Sequence, residues 1–360
     1  MRIGILGCGH VSHQYFDGAR WYDELEVVAC ADLDAEVAAK AAERNGVSAL
    51  TPDELLADEA VELVVNLTPP SHHFGESRRA LETGKHVYSE KPLALSTEEG
   101  RELVALADSA GLALGCAPDT FLGPAIQTAR AALHDGAIGD VVAGVAFVSE
   151  HGYEHFHPNV DPFYQPGGGP LRDLGPYYVT ALVTCLGPVA AVVATHKSHF
   201  PERVIGVGSR NGERIQVRVP THVTGALEFA SGALVTLITS WDIWSTHLPF
   251  IEIYGETGSL SLPNPDLFAG PVTLRRAGPE ELAQPPAAPG ELPWEELPPR
   301  FPQGARRGAG IADLVAALRE GREPRASGRL ALHVLAVLEA VELSGRTGER
   351  VRPLINSPYV

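Results

Sequence analysis

Arg2-Ile3-Gly4-Ile5-Leu6-Gly7-Cys8-Gly9-His10-Val11-Ser12 is the stretch on which the fold turns. An apolar run suited to a buried strand passes straight into Gly-x-Gly-x-x-Ser, and a helix is expected to open there. The first glycine makes the tight turn and the second lets the backbone approach a pyrophosphate. The helix N-terminus supplies amide donors and the positive end of its dipole. Ser12 stands where a third glycine is usual, and a small residue suffices for close helix-to-strand packing. Gly7, Cys8, Gly9, His10 and Val11 are therefore candidate dinucleotide contacts. Asp32 follows roughly 20 residues on, at the end of the expected second strand, where a carboxylate can accept both adenosine-ribose hydroxyls. Leu33 comes next, with no arginine to meet a 2′-phosphate, so the pattern favours NAD over NADP. Asp32 can equally cap the helix that starts near Ala35.

Outward from this stretch, short apolar runs alternate with segments of helical period. Residues 2–6, 25–31, 63–67, 86–88 and 112–116 read as buried parallel strands, and 34–45, 73–83 and 97–110 as helices. Gly46, Gly84 and Gly111 lie just past those helices, where a left-handed residue is wanted. The order implies right-handed crossovers and a doubly wound α/β sheet. Thr68-Pro69-Pro70 ends one strand at the edge where such folds bind ligands. His73 can cap the next helix or reach the cofactor ribose.

The chain has 360 residues, which predicts two domains, divided as 1–118 and 119–360. The second opens with a helix over 124–135, a glycine-rich loop and a helix near 177–185. Strand-like runs follow at 189–195, 215–219, 223–229, 233–240 and 250–254, which imply an α+β domain with a large, mostly antiparallel sheet. Residues 263–310, with Pro285-Pro286 and Pro298-Pro299, read as a proline-rich surface excursion around a short strand at 272–276. Helical period returns at 311–320 and 327–344. The formal charge of −17 disfavours nucleic acid and anionic membrane surfaces as partners. The apolar start is too short for a secretion signal, and Cys8, Cys30, Cys116 and Cys185 are scattered through apolar contexts. A reducing, cytoplasmic setting fits both.

Ser89-Glu90-Lys91-Pro92-Leu93-Ala94, behind the nucleotide fingerprint, resembles the Gfo/Idh/MocA oxidoreductases. Gly167-Gly168-Gly169 leading to Asp173-Leu174-Gly175, then Ile253 to Leu260, then Ala340 to Ser344 with Thr347-Gly348, extend the resemblance along most of the chain. It implies a Rossmann domain, a second domain with an open sheet that serves as the oligomer contact in dimers or tetramers, and a nicotinamide held between the domains. It also implies hydride transfer at a carbinol carbon of a sugar, sugar derivative or cyclic polyol. Glu90 and Lys91 are then cofactor contacts, and Lys91, Asp173 and Tyr177 the catalytic and substrate-binding group. Tyr177 occupies a position where many members carry histidine, as in the subgroup of glucose-fructose oxidoreductase and the dihydrodiol and xylose dehydrogenases.

On a helix, residues four apart share a face, so Asp173 and Tyr177 can meet one ligand. The alternative is that Asp173 is an N-cap and Tyr177 a core aromatic. His151, His155 and His157 are candidates for recognising substrate hydroxyls. Their spacing fits no tidy zinc pattern, so no metal is expected. Asp119 stands where relatives often place an asparagine near the nicotinamide and is a further substrate-binding candidate. Trp241 and Trp244 can stack on a sugar face or fill a sheet core. Two other functions stay open on the sequence: an enzyme that retains NAD and uses transient oxidation for elimination or glycoside cleavage, and a catalytically silent NAD sensor.

Overall fold

The computed structural model describes residues 1–157, 159–283, 293–301 and 304–354, which fall into two compact units. The first unit comprises Met1–Leu122 and Gly304–Ala336. Its six parallel strands are β1 (Arg2–Leu6), β2 (Glu26–Ala31), β3 (Ser48–Leu50), β4 (Leu63–Asn66), β5 (His86–Ser89) and β6 (Leu114–Cys116), in the order β3-β2-β1-β4-β5-β6. The strand order reverses between β1 and β4, and open α/β sheets bind ligands outside the C-terminal ends of the strands at such a switch point. Ile3, Ile5, Leu63, Val65 and Val87 are buried in the sheet, as continuous apolar strands require.

The crossovers carry helices α1 (Ser12–Ala19), α2 (Ala35–Asn45), α3 (Pro52–Ala57), α4 (Pro70–Glu82) and α5 (Thr97–Ala110). Gly46, Gly84 and Gly111 take the expected left-handed conformation, with φ of 70°, 80° and 66°. Sequence periodicity misses β3 and α3, because three and six residues are too short to establish a period. α3 nevertheless carries a full capping box, with Thr51 and Glu54 serving each other's backbone amides.

The contiguous 1–118 domain expected from sequence is corrected by the return of Gly304–Ala336 to this unit. Left alone, β6 would present an open sheet edge. Instead Ser327 bridges to Gly115, and the Cys116 amide donates to the Ala326 carbonyl at 3.0 Å. Helix α10 (Ala309–Glu320) packs beside β6 with Leu314 fully buried.

The second unit comprises Gly123–Gln303 and Val337–Val360. It opens with α6 (Pro124–His134) and β7 (Val141–Ser149), followed by α7 (Pro170–Asp173) and α8 (Gly175–Leu186). Then come β8 (Val189–Lys197), a two-stranded ribbon of β9 (Glu202–Val204) and β10 (Arg214–Gln216), and strands β11 (His222–Phe229), β12 (Leu234–Ser240), β13 (Ile251–Gly255) and β14 (Gly258–Leu262). Strand β15 (Thr273–Arg276), α9 (Pro279–Ala283) and β16 (Glu295–Glu296) follow, and α11 (Gly328–Thr347) supplies its later residues to this unit.

The large sheet has eight strands in the order β16-β15-β14-β13-β7-β12-β11-β8. Every neighbouring pair is antiparallel except β7 with β12. On one face the Ala194 amide donates to Ser344 Oγ of α11 at 2.8 Å. The alternate positions Val193 and Leu234 stay exposed. The expected surface excursion at 263–310 is corrected in two places: β15 and β16 extend the sheet, and Gly308 and Gly310 are buried in the first unit. Pro285-Pro286 lies outside the described residues.

Candidate active site

The glycine loop is built as a cradle. Gly7 has φ +97°, and a Cβ there would lie 2.7 Å from the Leu67 backbone, so only glycine fits. A Cβ on Gly9 would meet nothing within 4 Å, which leaves its backbone open to a ligand. Ser12 is buried and returns its hydroxyl to the Gly9 carbonyl at 2.7 Å, closing the turn that opens α1. Val11 is half-buried at the helix N-terminus and His10 is exposed beside it.

The Cys8 amide donates to Asp32 Oδ2 at 2.8 Å and the Asp34 amide to Oδ1 at 3.0 Å. Asp32 thus ties the loop to the end of β2. It is not the cap of α2, because Asp34 accepts from the Glu36 and Val37 amides. Leu33 is 88% exposed. An open glycine backbone, a helix N-terminus and a carboxylate at the end of β2 fit a dinucleotide with an unmodified ribose.

At the ends of β4 and β5 two buried side chains fix the segment around Lys91. The Tyr15 hydroxyl of α1 donates to Glu90 Oε1 at 2.7 Å, and Glu90 Oε2 accepts the Lys91 amide at 2.8 Å. His73 lies with Nδ1 2.6 Å from the Pro92 carbonyl and Nε2 2.7 Å from the Thr68 carbonyl. Burial pushes its imidazole below the ordinary pKa, while the two carbonyls and Glu90 pull the other way. His73 is 1% exposed, which corrects its reading as a ribose contact. It stitches the Thr68-Pro69 turn to the Lys91 segment. Thr68 Oγ1 in turn donates to Asn66 Oδ1 at 2.6 Å, and Pro69 precedes the first turn of α4.

Asp119 is also corrected. It is fully buried, and Oδ1 accepts from Arg307 at 3.1 Å while Oδ2 accepts the Gly308 and Gly310 amides at 2.9 and 3.2 Å. Burial pushes the carboxyl above its usual range, and Arg307 with the two amides opposes this. Its oxygens hold the start of α10 rather than facing a substrate.

In the second unit Asp173 ends α7 and Tyr177 lies in the first turn of α8. The backbone stays helical through Leu174 (φ −99°, ψ −29°), which is the N-cap position of α8 and makes no side-chain cap. Asp173 is therefore not the cap. It accepts a 2.7 Å hydrogen bond on Oδ2 from the Tyr153 hydroxyl. Glu150 lies nearby, its carboxyl raised by burial and by the charges of Asp173 and Asp266. Tyr177 is 7% exposed.

The histidines of the 151–157 loop separate into two settings. His151 stacks on Trp244 with centroids 3.3 Å apart and is followed in the stack by His155 at 5.5 Å. His157 turns away, edge-on to Phe163, and accepts the Asn159 amide. His151, Glu154 and His155 each bring a possible metal-ligating atom within 4.8 Å of the others. The two rings stack 18° from parallel. Glu154 Oε1 also accepts from Arg203 at 3.1 Å, and Oε2 is taken by the Tyr164 hydroxyl. Arg203 bridges Glu154 and Asp242. Trp241 is fully buried in the core, whereas Trp244 is 76% exposed.

The sequence offers no signal for Tyr15 or Arg307, which look like ordinary helix and loop residues. Tyr153 stands inside the His151–His157 run, and the histidines around it draw the attention.

Residues 1–117 match the model of the oxidoreductase family with the NAD-binding Rossmann fold, and residues 126–261 match the GFO/IDH/MocA C-terminal domain. The chain is 29% identical to 1,5-anhydro-D-fructose reductase of Ensifer adhaerens, over 79% of this chain and 84% of the relative. It is 32% identical to the uncharacterized oxidoreductase ORF334 of Rhizobium meliloti, over 74% and 75%. In three dimensions it is similar to the NAD-binding oxidoreductase of Klebsiella pneumoniae, with a TM-score of 0.83, 22% identity and coverage of 99% and 100%. Both halves of the sequence, the glycine cradle with its Asp32 and the Glu90-Lys91-Pro92 segment agree, and the chain belongs to the Gfo/Idh/MocA family of NAD-binding oxidoreductases.

Proposed function

We propose that this oxidoreductase transfers a hydride between NAD and a carbinol carbon of a sugar, sugar derivative or cyclic polyol, with Lys91, Asp173 and Tyr177 serving one substrate hydroxyl. The observation that carries this reading is the bracing of Lys91. A solvated lysine at a strand end needs neither a buried carboxylate on its own amide nor a buried imidazole on the next carbonyl. The similarity to an anhydrofructose reductase supports the substrate class.

Bound NAD supplies the hydride acceptor. Gly7, Cys8, Gly9, His10 and Val11 would face its pyrophosphate, Asp32 its ribose, and Thr68, Pro69 and Glu90 line the same strand ends. Oxidation requires removal of the hydroxyl proton, and a phenol with reference pKa of about 10 is a weak base near neutrality. In this reading the Lys91 ammonium orients the reacting oxygen and favours the phenolate of Tyr177. Asp173 accepts a hydrogen bond from the substrate, and His151 and His155, stacked with exposed Trp244, present a polar and aromatic surface to its remaining hydroxyls. His73, His157 and Asp119 leave this set because their polar atoms serve the protein.

The exposed positions Val193 and Leu234, on one face of the large sheet, suit a contact between copies of the chain, in a homodimer or homotetramer. Among the described residues no helix is long and apolar enough to cross a membrane. The net charge argues against nucleic acid as a partner, and the free cysteines fit a cytoplasmic setting.

The test is to incubate the purified protein and NAD with a panel of neutral sugars, anhydrosugars and cyclic polyols, following NADH absorbance and product masses together. Substrate-dependent NADH is the expected result. Altered substrate without NADH would replace this reading with the cofactor-retaining one, and no change across the panel would leave a binding protein.

A further inference from the structure

We infer that Tyr153 is a positioning residue for Asp173: its hydroxyl holds one oxygen of that carboxylate and fixes the direction in which the other can accept. The inference rests on the proposed role of Asp173 and adds a residue that the fold and family do not assign.

The hydrogen bond is short and direct, 2.7 Å from the Tyr153 hydroxyl to Asp173 Oδ2. The ring that delivers it is packed on three sides. Phe163 meets it edge-on at 4.9 Å, Trp241 tilts against it at 4.9 Å, and Phe156 lies at 5.2 Å. Trp241 is itself fully buried among Val160, Tyr164, Ile205 and Ile215, so the collar is anchored in the core. This fixes where the hydroxyl points. Ser149 and Ser240 are paired across the parallel strands β7 and β12, so the loops carrying Tyr153 and Trp241 leave the same end of the sheet.

The electrostatics set which partner donates. Glu150 and Asp266, both acidic, act with Asp173 on the surroundings of the Tyr153 hydroxyl. Burial and the neighbouring Asp173 and Glu150 push the Tyr153 phenol far above its ordinary pKa, so it stays a proton donor throughout the working range. Donation to the charged form lowers the pKa of the acceptor, and one such bond typically shifts it by about one unit or somewhat more.

The experiment compares wild type with Tyr153→Phe, which keeps the ring and removes only the donor. The Asp173 carboxyl carbon is titrated by NMR in both proteins, with Asp173→Asn identifying the resonance. NADH affinity and the thermal midpoint are followed as controls. The expected result is an Asp173 pKa raised by about one unit in Tyr153→Phe, with NADH affinity unchanged. The acid limb of kcat/KM on the best substrate should move up by the same amount, with kcat down about tenfold near neutrality. An Asp173 titration that does not move overturns the inference, whatever happens to kcat. If wild type turns over no substrate the dehydrogenase reading fails, yet the carboxyl titration still decides the role of Tyr153. Should Tyr153→Phe melt early, the titration is run well below its thermal midpoint, where an unmoved Asp173 signal overturns the inference equally.

Discussion

The segments that present Lys91 and Asp173 are held by different means. Around Lys91 the peptide groups are fixed: a buried Glu90 carboxylate takes its amide, and a buried imidazole takes the Pro92 carbonyl. Around Asp173 the side chain is held, by a tyrosine hydroxyl from a loop twenty residues away. A long, flexible lysine gains most from a rigid root, which limits the space its ammonium can sweep. A short carboxylate has little freedom to lose and needs its charge tuned. Only Glu90 among these partners comes from the motif itself; His73 and Tyr15 in the first task, like Tyr153 in the second, are brought by the fold.

Removing the ammonium breaks the comparison most severely. Lys91→Met should lower kcat by ~10²–10⁴-fold while the braced segment and NADH binding survive. Steady-state kinetics with a fluorescence titration of NADH checks both halves, and near-native turnover would end the assignment.

The bracing of the first unit can be attacked at Asp119. Asp119→Ala removes a fully buried carboxylate that accepts from Arg307 and from the first amides of α10, at a cost of about 3–5 kcal/mol in denaturant unfolding. Asp242→Ala in the second unit removes a less completely buried carboxylate that serves the side chains of Arg203 and Thr221, and should cost less. Equal losses would mean that the two buried pairs are held alike.

The first unit also carries a pH liability at His333, whose imidazole burial holds down at about 4. The unfolded chain titrates near 6.5, so between those values the unfolded state binds more protons than the folded one. Stability should be full above about pH 6.5, fall by up to about 3 kcal/mol on the way down to about pH 4, and level off below. Unfolding free energies measured across that window should lose this slope in His333→Leu.

The smallest effect is expected at Tyr15. Tyr15→Phe removes one donor from Glu90 and should cost about 1–2 kcal/mol of stability, with a severalfold drop in kcat if the root of Lys91 loosens. A stability loss with unchanged kcat would show that Glu90 alone suffices.

Much of this was legible in the residues. The alternation of apolar runs with glycine-terminated helical segments specifies the parallel sheet, because strand and helix periods and the left-handed glycines all report local backbone choices. Gly7, Gly9 and Asp32 were legible for the same reason. What escaped were contacts made across large sequence separations. Arg307 meets Asp119 after 188 residues and Tyr15 meets Glu90 after 75, with no periodicity to announce either. His73 shows the converse hazard: its position after Thr68-Pro69-Pro70 suggests a ligand contact, yet both ring nitrogens face carbonyls of the protein. The 263–310 segment misled because prolines and glycines mark turns without revealing where the chain goes between them.

The return of Gly304–Ala336 to the edge of β6 has a bearing on synthesis. The nucleotide-binding unit waits, unfinished on the ribosome, until residues 304–336 have been made, with the buried faces of β6 and Tyr88 lacking their cover. A gene fragment ending near residue 122 would therefore yield an aggregation-prone torso, and any premature stop before about codon 336 should forfeit the cofactor pocket along with the rest.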